Sequence, residues 1–139
     1  MQIKKKTSLH EPSLNKEDFK SVYKCLKSSH ISSVSKFTLK FENKIKKLTK
    51  SKYSIATING TSALQIAIKS LGIKENEEIL IPNLNYIASS NAAIYCGAIP
   101  HFVDVEDVSF GINTEKLESY LNKICISVKK KTINKKTKR

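Results

Sequence analysis

With 139 residues, 40% of them hydrophobic, the chain can bury one core but falls short of the usual two-domain length. Its formal charge of +13 rests on lysine, with Arg139 the only arginine, and lysine is poorly suited to bidentate reading of base edges. That balance excludes sequence-specific nucleic-acid recognition as a leading function, although non-specific attraction to polyanions stays open.

Asn15-Lys16-Glu17-Asp18 opens a helix predicted over 15–27, with Phe19, Val22, Tyr23 and Leu26 on one face. A polar connection, 28–35, leads to a second amphipathic pattern, Phe37, Phe41, Ile45 and Leu48, ending near Ser51. From there short apolar runs alternate with helices. Strands are predicted at Tyr53–Ile58, Glu78–Ile81 and Pro100–Val105, and helices at Thr61–Leu71, Tyr86–Tyr95 and Thr114–Leu121. The last helix starts at a Thr-Glu-Lys-Leu-Glu cap. A β-α-β-α-β-α series with short connections implies an α/β fold with right-handed crossovers and a mainly parallel sheet. Residues 123–139 hold eight basic residues and no acidic one, and read as a basic tail. The organisation expected is a helical segment over 1–50, an α/β region over 51–122 and the tail over 123–139.

Three separated cysteines, Cys25, Cys96 and Cys125, without a Cys-x-x-Cys pair or a histidine cluster, argue against a metal centre or a disulfide framework. No stretch approaches the roughly 20 apolar residues of a membrane span, and no apolar segment follows the N-terminal lysines, so the expected location is cytoplasmic.

Asn59-Gly60-Thr61-Ser62-Ala63 joins the first predicted strand to the helix after it. Such a turn points unpaired backbone N–H groups at one spot, which favours an anion. Gly60 permits close approach of a ligand, and the hydroxyls of Thr61 and Ser62 can cap the helix or donate to a phosphate oxygen. An ordinary helix cap has the same sequence. Neither Gly-x-x-x-x-Gly-Lys nor Gly-x-Gly-x-x-Gly is present, which counts against both nucleotide-loop readings. In a parallel sheet, ligands bind beyond the carboxyl ends of the strands. Asn59–Ser62, Asn83–Tyr86 and Asp104–Asp107 follow the three predicted strands, and one crevice shared by these loops would set Tyr86 beside the turn, its ring available to a flat ligand.

Asn59-Gly60-Thr61-Ser62-Ala63-Leu64, Leu71-Gly72-Ile73, Asn76-Glu77-Glu78-Ile79-Leu80-Ile81-Pro82, Asn91-Ala92-Ala93, Gly97-Ala98-Ile99-Pro100 and Phe102-Val103-Asp104-Val105 together resemble the DegT/DnrJ/EryC1/StrS family of sugar aminotransferases over roughly residues 8–122. The resemblance implies the N-terminal part of a fold-type-I pyridoxal-phosphate large domain. It implies amino transfer, commonly from glutamate, onto a nucleotide-linked keto-sugar in surface-glycan synthesis, by a homodimer. Gly60, Thr61 and Ser62 then correspond to the turn holding the cofactor phosphate, and Tyr86 to the ring stacked on the pyridine, making a partial cofactor site.

His30-Ile31-Ser32-Ser33-Val34-Ser35-Lys36-Phe37, followed by Phe41-Glu42, resembles the family's sugar-side loop and nominates Ser32 and Ser33 for substrate contact. Its flavour is that of the branch acting on UDP-linked 4-keto-6-deoxy-N-acetylhexosamines. Ser35 departs from the glycine usual at its position. The lysine that binds the cofactor covalently and the aspartate that holds the pyridine nitrogen match no motif in these residues, so no catalytic residue is assigned and little activity is expected of the chain alone. Two rivals remain: a sugar dehydratase on the same scaffold, and a non-catalytic basic module that binds polyanions through residues 123–139.

Overall fold

A computed structural model describes residues 10–29, 31, 32, 34–129 and 131–139. The chain divides into two compact units, one up to Ala56 and one comprising Thr57–Arg139.

The first unit holds α1 (Lys16–Lys27) and α2 (Lys36–Thr49). Asn15 caps α1 in a full capping box: its side chain accepts from the Glu17 and Asp18 amides while Asp18 accepts from the Asn15 amide at 2.8 Å. The apolar stripe of Phe19, Val22, Tyr23 and Leu26 is exposed. Ser35 is buried at the start of α2, and its hydroxyl accepts from the Thr38 amide at 3.2 Å. Its φ of −116° is open to any residue, so serine serves this turn as a cap.

The second unit holds α3 (Gly60–Ser70), β1 (Glu78–Pro82), α4 (Ala88–Tyr95), β2 (Ile99–Val103), α5 (Thr114–Ile124), β3 (Cys125–Val128) and β4 (Lys131–Asn134). β1 and β2 pair in parallel, from Glu78 opposite Ile99 to Pro82 opposite Val103, with α4 as the crossover. Gly97 closes α4 at φ +77°, and a Cβ there would lie 3.3 Å from the Glu75 side chain. The positive φ favours glycine where the chain reverses into β2, and the close Glu75 side chain adds to that preference. Ile81, Ala93 and Ala98 form the buried cluster, flanked by Ile73 and Ile79. Ala92 and Ala93, both fully buried on α4, let the helix settle close to the strands.

Two expectations fail. Tyr53–Ile58 forms no strand, because a strand exists only through pairing and no partner strand among the described residues reaches it. Instead the Ala56 amide donates to Glu42 Oε1 at 2.8 Å. The basic stretch 123–139 is not merely a tail: β3 and β4 form an antiparallel hairpin with Ile126 opposite Ile133. The alternation of Ile124, Ile126 and Val128 is the strand signal that the lysine density hides. At the sequence-predicted Thr114 start, the cap of α5 is one residue earlier, where Asn113 accepts from the Lys116 amide at 2.9 Å.

Glu78 fastens the hairpin to the sheet. Its half-shielded carboxylate accepts from Asn134 Nδ2 at 3.1 Å and the Thr137 hydroxyl at 2.5 Å, and pairs with His101 Nδ1 at 2.7 Å, while His101 Nε2 meets the Tyr120 hydroxyl at 2.9 Å. Burial pushes this carboxyl up, but the hydrogen bonds from Thr137, Asn134 and His101 outweigh it and hold the group below its ordinary value. A lowered folded-state value contributes stability above the unfolded carboxylate pKa of about 4.3, lost as the pH falls through the folded value. Denaturation of the chain between pH 7 and pH 3 is therefore expected to show a stability decline starting near that pKa. Glu78→Gln should be less stable at pH 7 and show a shallower decline; an unchanged slope would remove Glu78 as its source.

Candidate functional site

The candidate cofactor residues lie in the second unit, at the starts of α3 and α4. α3 begins at Gly60 because Asn59 caps it: Asn59 Oδ1 accepts from the Ser62 amide at 2.8 Å, and its carbonyl accepts from the Ala63 amide at 3.1 Å. The cap therefore comes from Asn59 and not from the Thr61 or Ser62 hydroxyl. Among the described residues, neither hydroxyl has a protein partner, and the amides of Gly60 and Thr61 are likewise unused. Thr61 and Ser62 are half-buried, and no acidic residue stands in the first turn. Two amides and two hydroxyls without described partners thus stand in the first turn, at the positive end of an 11-residue helix.

Gly60 plays a different part from the one its sequence suggests. Its φ lies outside the left-handed region and a Cβ would meet nothing within 4 Å, so neither the turn nor the surrounding protein demands glycine. What glycine leaves is open space directly over the unused amides.

Tyr86 stands just before α4 and is 79% exposed. Asn85 fixes this corner by accepting from the Tyr86 amide at 2.7 Å and donating to Ser89 Oγ at 3.0 Å, in place of a side-chain cap that Ile87 cannot provide. α3 packs along α4, with Cys96 Sγ 3.5 Å from the Gln65 carbonyl. The Asn83 amide donates to the Val103 carbonyl at 2.9 Å, which places the loops after β1 and β2 at the same end of the sheet. In the second of these loops, Asp104 takes Lys116 Nζ at 2.9 Å and the Val105 amide at 3.0 Å. The Lys116 hydrogen bond holds the Asp104 carboxyl below its usual range. Glu106 is likewise tied down, accepting from the Ser109 and Val108 amides.

On the sugar side, Ser32 is exposed in the loop before α2, in the first unit. Ser33 and His30 lie outside the described residues. Among the described residues the three cysteines form no disulfide, no group of His, Cys, Asp and Glu could hold a metal, and no helix is long and apolar enough to cross a membrane. The residue that sequence reasoning undervalued is Asn59, whose N-cap chemistry was legible in its type and place.

Helices that start beyond the ends of parallel strands are shared by many α/β folds; the solved neighbours assign this one to the N-terminal part of the fold-type-I pyridoxal-phosphate enzymes. The aminotransferase from Psychrobacter cryohalolentis matches with a TM-score of 0.71 at 29% identity, over 78% of this chain and 28% of that one. The Escherichia coli GDP-4-keto-6-deoxy-D-mannose-3-dehydratase, solved with bound hydrated pyridoxal phosphate, shares the fold at 20% identity and a TM-score of 0.70, over 80% of this chain and 30% of that one.

The chain belongs to the DegT/DnrJ/EryC1/StrS aminotransferase family, whose sequence model matches residues 12–130. It is 39% identical to GDP-perosamine synthase of Escherichia coli O157:H7 over 110 residues, covering 79% of this chain and 30% of that protein. The Vibrio cholerae protein of the same name is 34% identical over 115 residues, covering 83% and 31%. The chain thus spans under a third of the length of these curated relatives.

Proposed function

We propose that this chain carries the phosphate-and-ring half of the cofactor site of a pyridoxal-phosphate-dependent aminotransferase acting on a nucleotide-linked keto-sugar. The observation that carries the reading is the first turn of α3, which holds two amides and two hydroxyls without partners among the described residues and open space beside Gly60. These groups fit a phosphate, because each is a donor and the helix dipole adds positive potential. In the complete enzyme the Gly60 and Thr61 amides and the Thr61 and Ser62 hydroxyls hold the phosphate, while the Tyr86 ring lies against the pyridine. When bound, the cofactor supplies an electron sink for moving an amino group. The residues here bind and orient it.

Relatives named as perosamine synthases favour amino transfer over dehydration. They also favour a GDP-linked sugar over the UDP-linked N-acetylhexosamine that the 30–37 segment suggests, with Ser32 and Ser33 on the sugar side. Glutamate as donor and a homodimer complete the proposal for the whole enzyme.

The test uses pyridoxamine 5′-phosphate, which has no aldehyde and so cannot react with the many lysines. Titrated into the isotopically labelled chain, it is expected to shift the amides of Gly60, Thr61, Ser62 and Tyr86, with inorganic phosphate competing at the first three. No shift at the α3 turn up to about 10 mM ligand, where affinities weaker than about −3 kcal/mol begin, would sink the reading.

A further inference from the structure

Charge is unevenly spread along the chain. Fourteen lysines against four acidic residues give residues 1–56 a net +10 of the total +13, whereas residues 57–122, with three lysines and eight acidic residues, carry −5. In α2 this charge is also ordered. Four of its five lysines, Lys36, Lys40, Lys44 and Lys47, follow one another at spacings of four, four and three. At about 3.6 residues per turn, that spacing gathers them into an arc of about 80° and a row about 16 Å long. All four are exposed, and together with Leu39 and Asn43 they line one shallow hollow along the helix. A lysine-rich composition by itself would scatter them around the axis.

Among the described residues no carboxylate lies within ion-pair distance of these four ammonium groups. Glu42, the acidic residue of α2, falls on the far side of the helix, where it accepts the Ala56 amide at 2.8 Å. An ammonium group is almost never buried without a counter-charge, so this face stays in water or meets an anion, whatever polypeptide covers the apolar side of α2. What accompanies the lysines narrows the kind of anion. Leu39, 56% exposed at the edge of the row, offers an apolar group that acyl chains accept and a phosphate backbone does not. The hollow contains no arginine to grip a base or phosphate bidentately and no aromatic ring on which a base could stack.

We infer that the lysine face of α2 docks this chain on an anionic lipid surface, with Lys36, Lys40, Lys44 and Lys47 at the headgroup phosphates and Leu39 in the interface. A straight row of point charges matches a flat array of headgroups, and each lysine held near such a surface raises the partition about fivefold. The attraction falls off within a Debye length, so only lysines that reach the surface together contribute fully. Docking of this kind is peripheral and needs no membrane-spanning helix.

Cosedimentation of the chain with vesicles of about 30% phosphatidylglycerol in phosphatidylcholine is expected to show binding at about 50 mM salt, its loss at about 500 mM, and none to phosphatidylcholine alone. Lys36→Gln, Lys40→Gln, Lys44→Gln and Lys47→Gln together should weaken binding at least about 50-fold. Lys123→Gln, Lys129→Gln, Lys131→Gln and Lys136→Gln together remove the same charge from four exposed sites in 123–139 and should weaken it less than about fivefold. Arginine at the four α2 positions keeps the charge and should hold binding within about threefold. Glutamine and arginine are both good helix formers, and circular dichroism checks that α2 survives each change. The chain has no tryptophan, so Leu39→Trp supplies a single fluorophore, whose emission should shift to the blue on the anionic vesicles and stay unchanged with duplex DNA. No binding to the anionic vesicles would overturn the inference, and so would binding to duplex DNA in its place. Equal losses in the two glutamine variants, or an unshifted Leu39→Trp emission on bound vesicles, would overturn it as well.

Discussion

Replacing Ile81 by alanine is expected to cost the Thr57–Arg139 unit about 2–4 kcal/mol, enough to unfold it in a large share of molecules at 25 °C. Ile81 is only 4% exposed and is the one large residue of the buried cluster, its neighbours Ala93 and Ala98 being too small to close the gap. The loss combines the transfer free energy of the missing methyl groups with the cavity they leave. Leu80, next along β1 and 37% exposed, points to the other face, so Leu80→Ala should cost less than half as much. Denaturant unfolding followed by circular dichroism measures both. Equal costs would mean that the packing between β1 and α4 does not carry this unit.

Ser62→Asp is expected to weaken binding of pyridoxamine 5′-phosphate about 100-fold while leaving the fold as stable or slightly more so. The two effects separate because they act through different partners. A carboxylate in the first turn of α3 faces the positive end of the helix dipole and stabilises it by a few tenths of a kcal/mol or more. The same carboxylate removes a hydroxyl donor and sets a negative charge where the phosphate dianion would lie. The Asn59 cap uses the Ser62 amide and not its side chain, so the cap survives the substitution. Titration of the variant beside the parent chain, with thermal unfolding of each, gives both quantities. Weakened binding together with a destabilised fold would assign Ser62 a structural role instead.

How much of this was legible in the sequence depends on whether the signal was local. Helices α1, α2 and α3 begin and end within a residue or two of their predicted bounds because capping residues and apolar spacing act within one turn or two. The parallel pairing of β1 with β2 was likewise readable, since a crossover helix between two short apolar runs leaves few alternatives. The proposal of an anion site at residues 59–62 rests on the order glycine, threonine, serine at a helix start, and the chained motifs around it sufficed to place the chain in its family.

Other features needed the fold. Tyr53–Ile58 has every property of a strand except a neighbour, and pairing is a relation between distant segments that no local pattern supplies. The hairpin of β3 and β4 was masked by eight basic residues, and it is held by Glu78, more than 50 residues away in sequence. At the candidate site, the hydroxyls of Thr61 and Ser62 offered caps beside that of Asn59, and residue type did not choose among them. Asn59 takes that place in the tertiary structure and frees both hydroxyls, and Gly60 proves to be required by neither dihedral strain nor crowding. The sequence thus determined which groups stand at the head of α3; the structure decided which of them are left with a free hydrogen bond, because only the folded backbone settles what each donor has already found.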